Sequence, residues 1–397
     1  MKRKMIQLGL ATSTALLLNT MAMAGSTIAE PNVAINAPEK APNTWKSKHK
    51  FFGFSQIGAQ MGDGAKKGDD ADVGFEADRL RLGWKYFSGP LAGKVFLDFA
   101  KKGSDNGSIG VPDVVKDAFI AYKMSDAAVI KAGIIKTPVG MGFTIPGWNL
   151  DVIKRGFDKK LAFERANGVM LSGRDIGFGN DGKVNGLEMG HERPWKGFGY
   201  DLMVTGAVGR SGAVNAKDEN GNIYKANGSN GYMGRLMFDW GQALHAEVSY
   251  GSIAGNTDGS GEDYTVFNAG IDSHFDGYNF KAEAYAVENI RGTAGWDMTT
   301  MALTGTYYLT DTLEFAVKDI RGTETRGGVD SDAANTYIGL NYYINPKNNK
   351  MSRKARRGRN RHRIQVNYVL ADVDDSFKGV GALFKDDTIL LQYQFKF

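Results

Sequence analysis

The sequence predicts an all-β protein that forms a single antiparallel transmembrane β-barrel of about 16 strands. Three observations predict this fold. The chain opens with a secretory targeting segment, apolar and polar side chains alternate from residue 50 to the C-terminus, and short connectors alternate with long ones. A soluble sandwich would account for the alternation, but it would leave the targeting segment and the connector pattern unexplained.

Composition excludes several other classes of protein. Glycine supplies 52 of the 397 residues, about twice the usual share. Hydrophobic residues at 42% and aromatic residues at 11% are too frequent for a disordered chain. Because the sequence contains no cysteine, it excludes disulfide scaffolds, thiolate metal sites, thiol nucleophiles and lipid-anchored lipoproteins.

The N-terminus has the pattern of a cleaved signal peptide. Lys2 to Lys4 form a positive region, Ile6 to Leu18 are mostly apolar, and Ala22-Met23-Ala24 is a small-residue cleavage site. We expect residues 1–24 to be removed, so that the mature chain starts at Gly25. A membrane anchor is the alternative, although the apolar stretch is short and interrupted. Three of the five net positive charges lie in this segment, so the mature chain is nearly neutral.

The rest of the chain divides into an arm and a barrel. Residues 25–49 contain Pro31, Pro38 and Pro42 among small and charged residues, which predicts an extended N-terminal arm. Residues 50–397 are expected to form the barrel. No window after Gly25 approaches about 18 consecutive apolar residues, which excludes a helical membrane protein.

Strand periodicity is clearest over residues 76–86. Leu80, Leu82, Trp84 and Tyr86 fall on one face, and Arg79, Arg81, Gly83 and Lys85 fall on the other. The same split recurs in about 16 segments of about ten residues, which fits tilted strands whose apolar face meets lipid. A slip of one residue would exchange the two faces of a strand.

The connectors alternate in length as they do in outer-membrane barrels. The short ones are Ser88 to Pro90, Ser125-Asp126, Trp240 to Gln242, Asp276-Gly277 and Thr310-Asp311. The long ones, expected on the external side, are 62–74, 101–114, 137–167, 209–230, 252–262, 321–332 and 372–385. Segments 175–199 and 345–362 depart from the pattern, because they are long where a short periplasmic turn is expected.

The last strand ends on an aromatic residue. Its apolar positions are Ile389, Leu391, Tyr393, Phe395 and Phe397. An alternation that ends in a C-terminal Phe resembles the recognition strand of the outer-membrane assembly machinery. The alternative is an edge strand of a soluble sheet.

The polar face of such a barrel lines its lumen, where charges set selectivity. Over residues 75–174 the alternation points seven cations inward, with only Asp98 and Asp117 against them. These cations are Arg79, Arg81, Lys85, Lys94, Lys123, Lys131 and Arg174. On the later strands Arg235, Lys281, Lys318 and Lys396 face Asp201, Asp239, Glu247, Glu283 and Glu314. One wall is therefore predicted to be basic and the other balanced.

Segment 137–167 is the longest connector and follows the fifth strand. We expect it to fold into the lumen as a pore-constricting loop, pinned to the wall by Trp148, Phe157 and Phe163. Its cations are Lys154, Arg155, Lys159, Lys160 and Arg165, and its acids include Asp151, Asp158 and Glu164. Cations at a constriction favour anions. Alternatively, they pair with the acids of the loop or with lipopolysaccharide phosphates.

Several stretches in order resemble the phosphate-selective porin O and P family of outer-membrane anion channels. They are Arg79 to Tyr86, Lys94 to Phe99, Asp117 to Tyr122, Ile130 to Met141 and Gly168 to Gly173. The most recognisable piece is the Gly-x-x-Lys-x-Pro-x-Gly run from Gly133 to Gly140. The resemblance implies a homotrimer of 16-stranded barrels in the outer membrane that passes small anions by passive diffusion. Arg79 and Arg81 match basic positions on the second strand of that family, but a complete arginine ladder does not emerge.

The stretch from Lys347 to Arg363 contains nine Lys or Arg residues and no acid. An exported chain has no nucleic-acid partner by default, and this run has no aromatic residues for base stacking. We expect a solvated periplasmic loop. Contact with anionic lipid headgroups and capture of anions at the pore exit are the alternatives.

The sequence does not predict an enzyme. Its five histidines have no metal-ligand spacing, and no Gly-x-Ser-x-Gly motif is present, so we expect no cofactor and no metal. A barrel esterase could still pair His245 or His274 with a serine on a neighbouring strand.

The predicted function is an outer-membrane porin for small anions, with phosphate as a candidate. One alternative is a general diffusion pore with weak or no anion preference. The other is a plugged barrel whose external loops bind or adhere to surfaces.

Overall fold

The computed structural model describes most of the chain after residue 44. The described residues are 45–62, 73–100, 114–125, 127–177, 196–206, 215–217, 223–225, 230–241, 243–254, 261–275, 277–344, 361–380 and 383–397. The predicted signal peptide and most of the predicted arm lie outside them. The first strand begins at Ser47, within the residues predicted to form the arm.

Eighteen strands are present in the described residues, and 16 of them close into one antiparallel barrel. They are β1 Ser47–Gly62, β2 Gly74–Ser88, β3 Leu91–Asp98, β4 Val115–Ser125, β5 Ala128–Lys136, β6 Arg165–Ile176, β7 Lys196–Thr205, β8 Asn215–Lys217, β9 Ile223–Lys225, β10 Gly231–Trp240, β11 Leu244–Ile253, β12 Tyr264–Phe275, β13 Tyr278–Glu288, β14 Trp296–Tyr308, β15 Leu313–Arg326, β16 Val329–Tyr343, β17 His362–Val373 and β18 Thr388–Lys396. Strands β8 and β9 form a separate two-stranded sheet. The predicted fold class is confirmed.

The barrel closes between its first and last strands. Phe54 pairs with Lys396 and Gly62 pairs with Thr388 along the antiparallel β1–β18 ladder. Beyond the ladder, the Gly53 amide donates to the Phe397 carbonyl at 3.2 Å, and the Phe397 amide donates back to Gly53 at 3.1 Å. The C-terminal residue therefore takes part in closing the sheet, which leaves no free edge.

Side chains alternate as the period of two predicts. On β18, Ile389, Leu391, Tyr393 and Phe395 are exposed, whereas the residues between them point inward and are mostly buried. The same outward face carries large exposed apolar side chains on neighbouring strands, among them Phe280, Met301, Leu340 and Val366. An apolar outer face of this kind suits a barrel that sits in lipid. Of the helices in the described part of the chain, none is long and apolar enough to cross a bilayer.

One long connector predicted from the sequence does not exist. Strand β15 runs to Arg326 and β16 starts at Val329, so residues 321–332 belong almost entirely to paired strands. Gly327 and Gly328 join the strands with φ of 59° and 81°. A two-residue hairpin needs positive φ at both positions, and glycine adopts it without strain. The polar composition of this stretch resembles a loop, although its backbone is strand.

The basic run from Lys347 to Arg363 lies mostly outside the described residues, and its last residue departs from expectation. Arg363 is part of β17 and is almost fully buried inside the barrel. Its Nη1 donates to the carbonyl of Leu150 at 2.8 Å. The interpretation as a solvated loop is therefore wrong for Arg363.

Candidate functional site

The connector between β5 and β6, residues 137–164, lies inside the barrel, and we refer to it as the inserted segment. It contains a helical turn at Met141–Thr144 and two 3-10 turns at Gly147–Asn149 and Phe157–Leu161. Val139, Met141, Phe157 and Leu161 are at most 1% exposed. This apolar burial, rather than local propensity, fixes the position of the segment.

The first part of the inserted segment binds the opposite wall through its backbone amides. Gly140 donates to Ser249 Oγ at 3.2 Å and Met141 donates to Asn268 Oδ1 at 3.2 Å. Gly142 donates to Glu283 Oε2 at 2.9 Å. Inward polar side chains of β11, β12 and β13 thus satisfy a backbone that has no strand partner of its own.

The middle part of the inserted segment reaches the strands around the barrel closure. Asn341 Nδ2 donates to the Asp151 carbonyl at 2.9 Å, and the Ile153 amide donates to Asn367 Oδ1 at 2.8 Å. Gln56 Nε2 donates to the Gly147 carbonyl at 3.1 Å. The segment therefore crosses the interior from β11–β13 to β16, β17 and β1.

The three aromatic residues predicted to pin the segment all make ring contacts. Trp148 meets Phe54 edge-on with ring centroids 5.2 Å apart, and Lys396 Nζ lies 4.5 Å from the centre of the Trp148 ring. Phe163 packs edge-on against Tyr264 at 4.8 Å. Phe157 packs against Phe377, on the connector that follows β17.

The inward faces of β7 and β10–β18 form what we call the buried wall. The five acids predicted on it, Asp201, Asp239, Glu247, Glu283 and Glu314, are each at most 7% exposed. Asp201 accepts hydrogen bonds from both Arg174 and Arg235, at 3.0 Å and 2.6 Å. Asp239 and Glu247 contact His245, and Glu247 also pairs with Arg235. Glu283 and Glu314 accept hydrogen bonds from neutral amide and hydroxyl groups. All five carboxylates are therefore withdrawn from direct contact with a solute in the lumen.

The inward faces of β2–β6 form the basic wall, where cations keep contact with water. The side chains of Arg81, Lys94 and Arg165 are 14%, 23% and 12% exposed. Their partners are Asp98, which binds Arg81 at 2.8 Å, and Asp117, which binds both Lys94 and Arg165. Two buried carboxylates therefore face three partly exposed cations.

Two further guanidinium groups lie near the junction of the basic wall and the inserted segment. Arg79 Nη1 donates to Gln56 Oε1. Arg155 Nη2 donates to the Ile145 carbonyl, while its Nη1 is buried without a hydrogen-bond partner among the described residues. Burial, together with the nearby charges of Arg79, Arg81 and Arg165, lowers the pKa of Arg155. Arg79, Arg81 and Arg165 therefore lie close enough to Arg155 to add to the effect of burial.

Lys159 and Glu164 form an ion pair within the inserted segment, with Nζ and Oε1 3.3 Å apart. Burial lowers the pKa of Lys159 to about 8; Glu164 opposes this shift, and Arg155 reinforces it. Although burial acts to raise the pKa of Glu164, Lys159 and Arg165 hold it at about 2. The pair is therefore ionised at neutral pH, and its lysine is the member that titrates first in alkali.

Two acids on the basic wall were not predicted from the sequence. Lys154 pairs with Glu76 and with Asp78, the latter at 2.5 Å. The β1–β2 register shifts at this point, because Gln56 pairs with Arg79 while Ile57 pairs with Ala77. This bulge turns both Asp78 and Arg79 toward the interior. The prediction that only Asp98 and Asp117 oppose the cations is therefore wrong, and simple alternation gave no sign of it.

The remaining predicted cations do not all share one place. Lys131 is 1% exposed with Nζ 3.4 Å from Ser172 Oγ, and Arg174 is buried against Asp201, so both belong to a buried network. Lys85 Nζ lies 5.4 Å from the Phe52 ring centre, Lys123 is half-buried and Lys160 is exposed. Sequence reasoning also missed Lys136, whose Nζ lies 4.5 Å from the centre of the Phe143 ring.

The histidines considered for an esterase lie among acids. His245 Nδ1 is 3.0 Å from Asp239 Oδ1 and its Nε2 is 2.8 Å from Glu247 Oε2. His274 Nε2 is 3.0 Å from Asp272 Oδ1. Within the described residues, no group of three or more acidic or histidine side chains is placed to hold a metal ion.

No known family model matches the chain, and no curated protein matches it. Solved structures do share its architecture. OmpF of Salmonella typhi, in complex with daunomycin, is 13% identical with a TM-score of 0.60, over 88% of this chain and 98% of that one. OmpT, an outer membrane protein of Vibrio cholerae in its trimer form, is 13% identical with a TM-score of 0.54, over 88% of this chain and 99% of that one.

A third match is a porin structure refined at 1.8 Å resolution, 13% identical with a TM-score of 0.51, over 88% of this chain and all of that one. At these identities the matches define the fold alone. The fold is the 16-stranded porin-type barrel, which fits a place in the outer membrane. The resemblance to the O and P family is not confirmed by these comparisons.

Proposed function

We propose that this protein is an outer-membrane channel for small solutes that prefers anions. Its permeation path runs between the basic wall and the inserted segment. The observation that carries this proposal is the unequal exposure of inward charges: Arg81, Lys94, Lys159 and Arg165 keep access to water, while the five acids of the buried wall do not. Charges that solvent reaches set the selectivity of a pore.

The residues proposed to form the path are a subset of those predicted from the sequence. Arg79, Arg81, Lys94, Lys154, Arg155, Lys159 and Arg165 lie on the basic wall or the inserted segment, with Lys136 added. Arginine binds phosphate or carboxylate oxygens with two parallel donors, and lysine acts as a point charge. Arg155 is kept in this set because its Nη1, although buried, has no hydrogen-bond partner within the described structure.

Single-channel recording in planar bilayers tests the channel itself. We expect discrete ohmic steps in potassium chloride, because Arg81, Lys94 and Arg165 on the basic wall keep part of their side chains exposed. The alternative is a plugged barrel, favoured by the apolar packing of residues 137–164 across the interior. Correctly folded protein that inserts without conductance would support the plug and refute the channel.

Phosphate is a narrower proposal with its own test. If phosphate binds the arginines of the path, millimolar inorganic phosphate should reduce the chloride current, and Arg155→Gln should weaken that block. A chloride current that is unaffected by phosphate would leave a general anion path. A general pore without preference is the remaining alternative, favoured by the exposed acids Glu76 and Glu164, which pair with Lys154 and Lys159.

The export, assembly, location and oligomeric state of the protein are proposed by analogy with outer-membrane barrels. We infer export through the signal peptide of residues 1–24, assembly through the C-terminal strand and residence among outer-membrane lipid and lipopolysaccharide. A homotrimer is also proposed, since one matched porin-type structure is described as a trimer form. Crosslinking in native membranes followed by mass measurement would test the trimer.

A further inference from the structure

The connector between β17 and β18 also enters the barrel. Residues 374–387, described except for 381 and 382, form what we call the second segment. Its apolar residues Phe377, Val380 and Phe384 are 0%, 5% and 5% exposed. Because it leaves the barrel at the same end as the inserted segment, the two approach the lumen from one side.

Two inward side chains of the buried wall hold the backbone of the second segment. Glu324 Oε2, on β15, accepts hydrogen bonds from the amides of Lys378 at 2.8 Å and Gly379 at 2.9 Å. Asn335 on β16 donates to the Phe384 carbonyl at 2.8 Å and accepts from the Phe384 amide at 3.0 Å. A side-chain amide thus satisfies both backbone groups of Phe384, as a paired strand would.

The two segments pack on each other. Phe377 meets Phe157 of the inserted segment edge-on, with ring centroids 5.7 Å apart. Phe384 meets Tyr337 of β16 edge-on at 6.1 Å. Phe377 and Phe157 belong to one buried apolar cluster with Ile320 and other residues of the wall. Apolar side chains therefore fill the space where the two segments meet β15 and β16.

We propose that the second segment is a second constriction, which seals the lumen in front of β15–β17 and confines solutes to the basic wall. This inference rests on the proposed channel function and specifies what sets its selectivity. If the second segment were displaced, the interior would widen beside the inserted segment. The carboxylate of Glu324, now 1% exposed, would then face water and offset the cations opposite.

The test is single-channel recording of the double variant Phe377→Asp, Phe384→Asp. Two buried carboxylates without partners cannot stay in the apolar cluster, so the second segment should leave it. We expect conductance to rise about twofold, because the open cross-section grows; the anion preference should fall as well, through both the two added carboxylates and the uncovered Glu324. The matched control is Ser376→Ala, an exposed position of the same segment, which should conduct like the wild type.

A disulfide crosslink provides an independent test in case the double variant misfolds. The chain has no cysteine, so Asn335→Cys with Phe384→Cys creates one possible bond, between positions that already touch. Under oxidising conditions the pair should crosslink and hold the second segment against β16. Failure to crosslink in a folded barrel would place the second segment elsewhere and overturn the inference.

The outcomes separate this inference from the proposed function. Wild-type anion selectivity with unchanged conductance in the double aspartate variant would refute the second constriction alone. A silent wild type with a conducting variant would retain the second constriction and refute the proposed channel. Silence of both folded proteins would refute both.

Discussion

The charges of Arg79, Arg155 and Lys159 act together where the inserted segment meets the basic wall. Arg79 and Arg155 are among the cations that lower the pKa of Lys159, after burial itself. The alternation of β2 predicted that Arg79 and Arg81 point inward. It could not predict Lys154 beside Asp78, because a bulge breaks the period and the contact joins residues 76 positions apart.

We expect Lys159 to make the proposed anion preference depend on pH. With its pKa near 8, the side chain is charged at pH 7 and neutral at pH 9, so the anion preference should fall between these values. Its partner Glu164 stays ionised throughout, so the net charge of the pair changes from zero to negative. Reversal potentials recorded from pH 6.5 to 9.5 measure this fall in anion preference. In Lys159→Arg the fall should disappear, and an equal fall in that variant would assign the titration to another group.

The path of the inserted segment depends on where its backbone packs against side chains of strands that are distant in sequence. Gly140 has φ of 87°, and a Cβ there would come within 2.0 Å of the Tyr285 hydroxyl. The Gly-x-x-Lys-x-Pro-x-Gly run was recognisable in the sequence, but its contact with β13 was not. The two-residue turn at Gly327 could not be predicted either, because polar strand ends and loops have similar composition.

Gly140→Ala should loosen the inserted segment, since alanine meets both strain and a clash. We expect a loss of about 1–3 kcal/mol in unfolding free energy. The temperature at which the folded form disappears in semi-native electrophoresis reports the change. Gly305→Ala is the matched control, because a Cβ there meets nothing within 4 Å. Equal effects of both variants would show that Gly140 has no special role.

At the scale of the whole molecule, the sequence predicted strand number, alternation and the outward face of β18 correctly. It did not predict how fully the interior is filled, because that depends on the packing of two connectors against a wall far away in sequence. Counting inward charges on each wall gave a balance of four cations and five acids on the later strands. Burial changes the meaning of that balance, since most of those groups are withdrawn from water.

Phe397 is predicted to be recognised by the outer-membrane assembly machinery, and it also helps to close the barrel. An experiment must separate these two roles. Phe397→Ala keeps the backbone bonds to Gly53 but removes the terminal ring. We expect a several-fold lower yield of folded barrel in the outer membrane, with normal refolding of purified protein in detergent. Immunoblots of membrane fractions and refolding yields provide the two measurements. Equal losses in both would indicate a folding defect rather than recognition by the assembly machinery.

The reversal potential of single channels in a tenfold potassium chloride gradient tests the proposed anion preference directly. The wild type should reverse on the anion-selective side of zero, because water reaches the cations of the basic wall and not the acids of the buried wall. Arg79→Glu with Arg155→Glu should shift the potential toward cations, whereas Arg321→Glu, on the outer face of β15, should not. A wild-type channel that reverses at zero or on the cation-selective side would refute the anion preference.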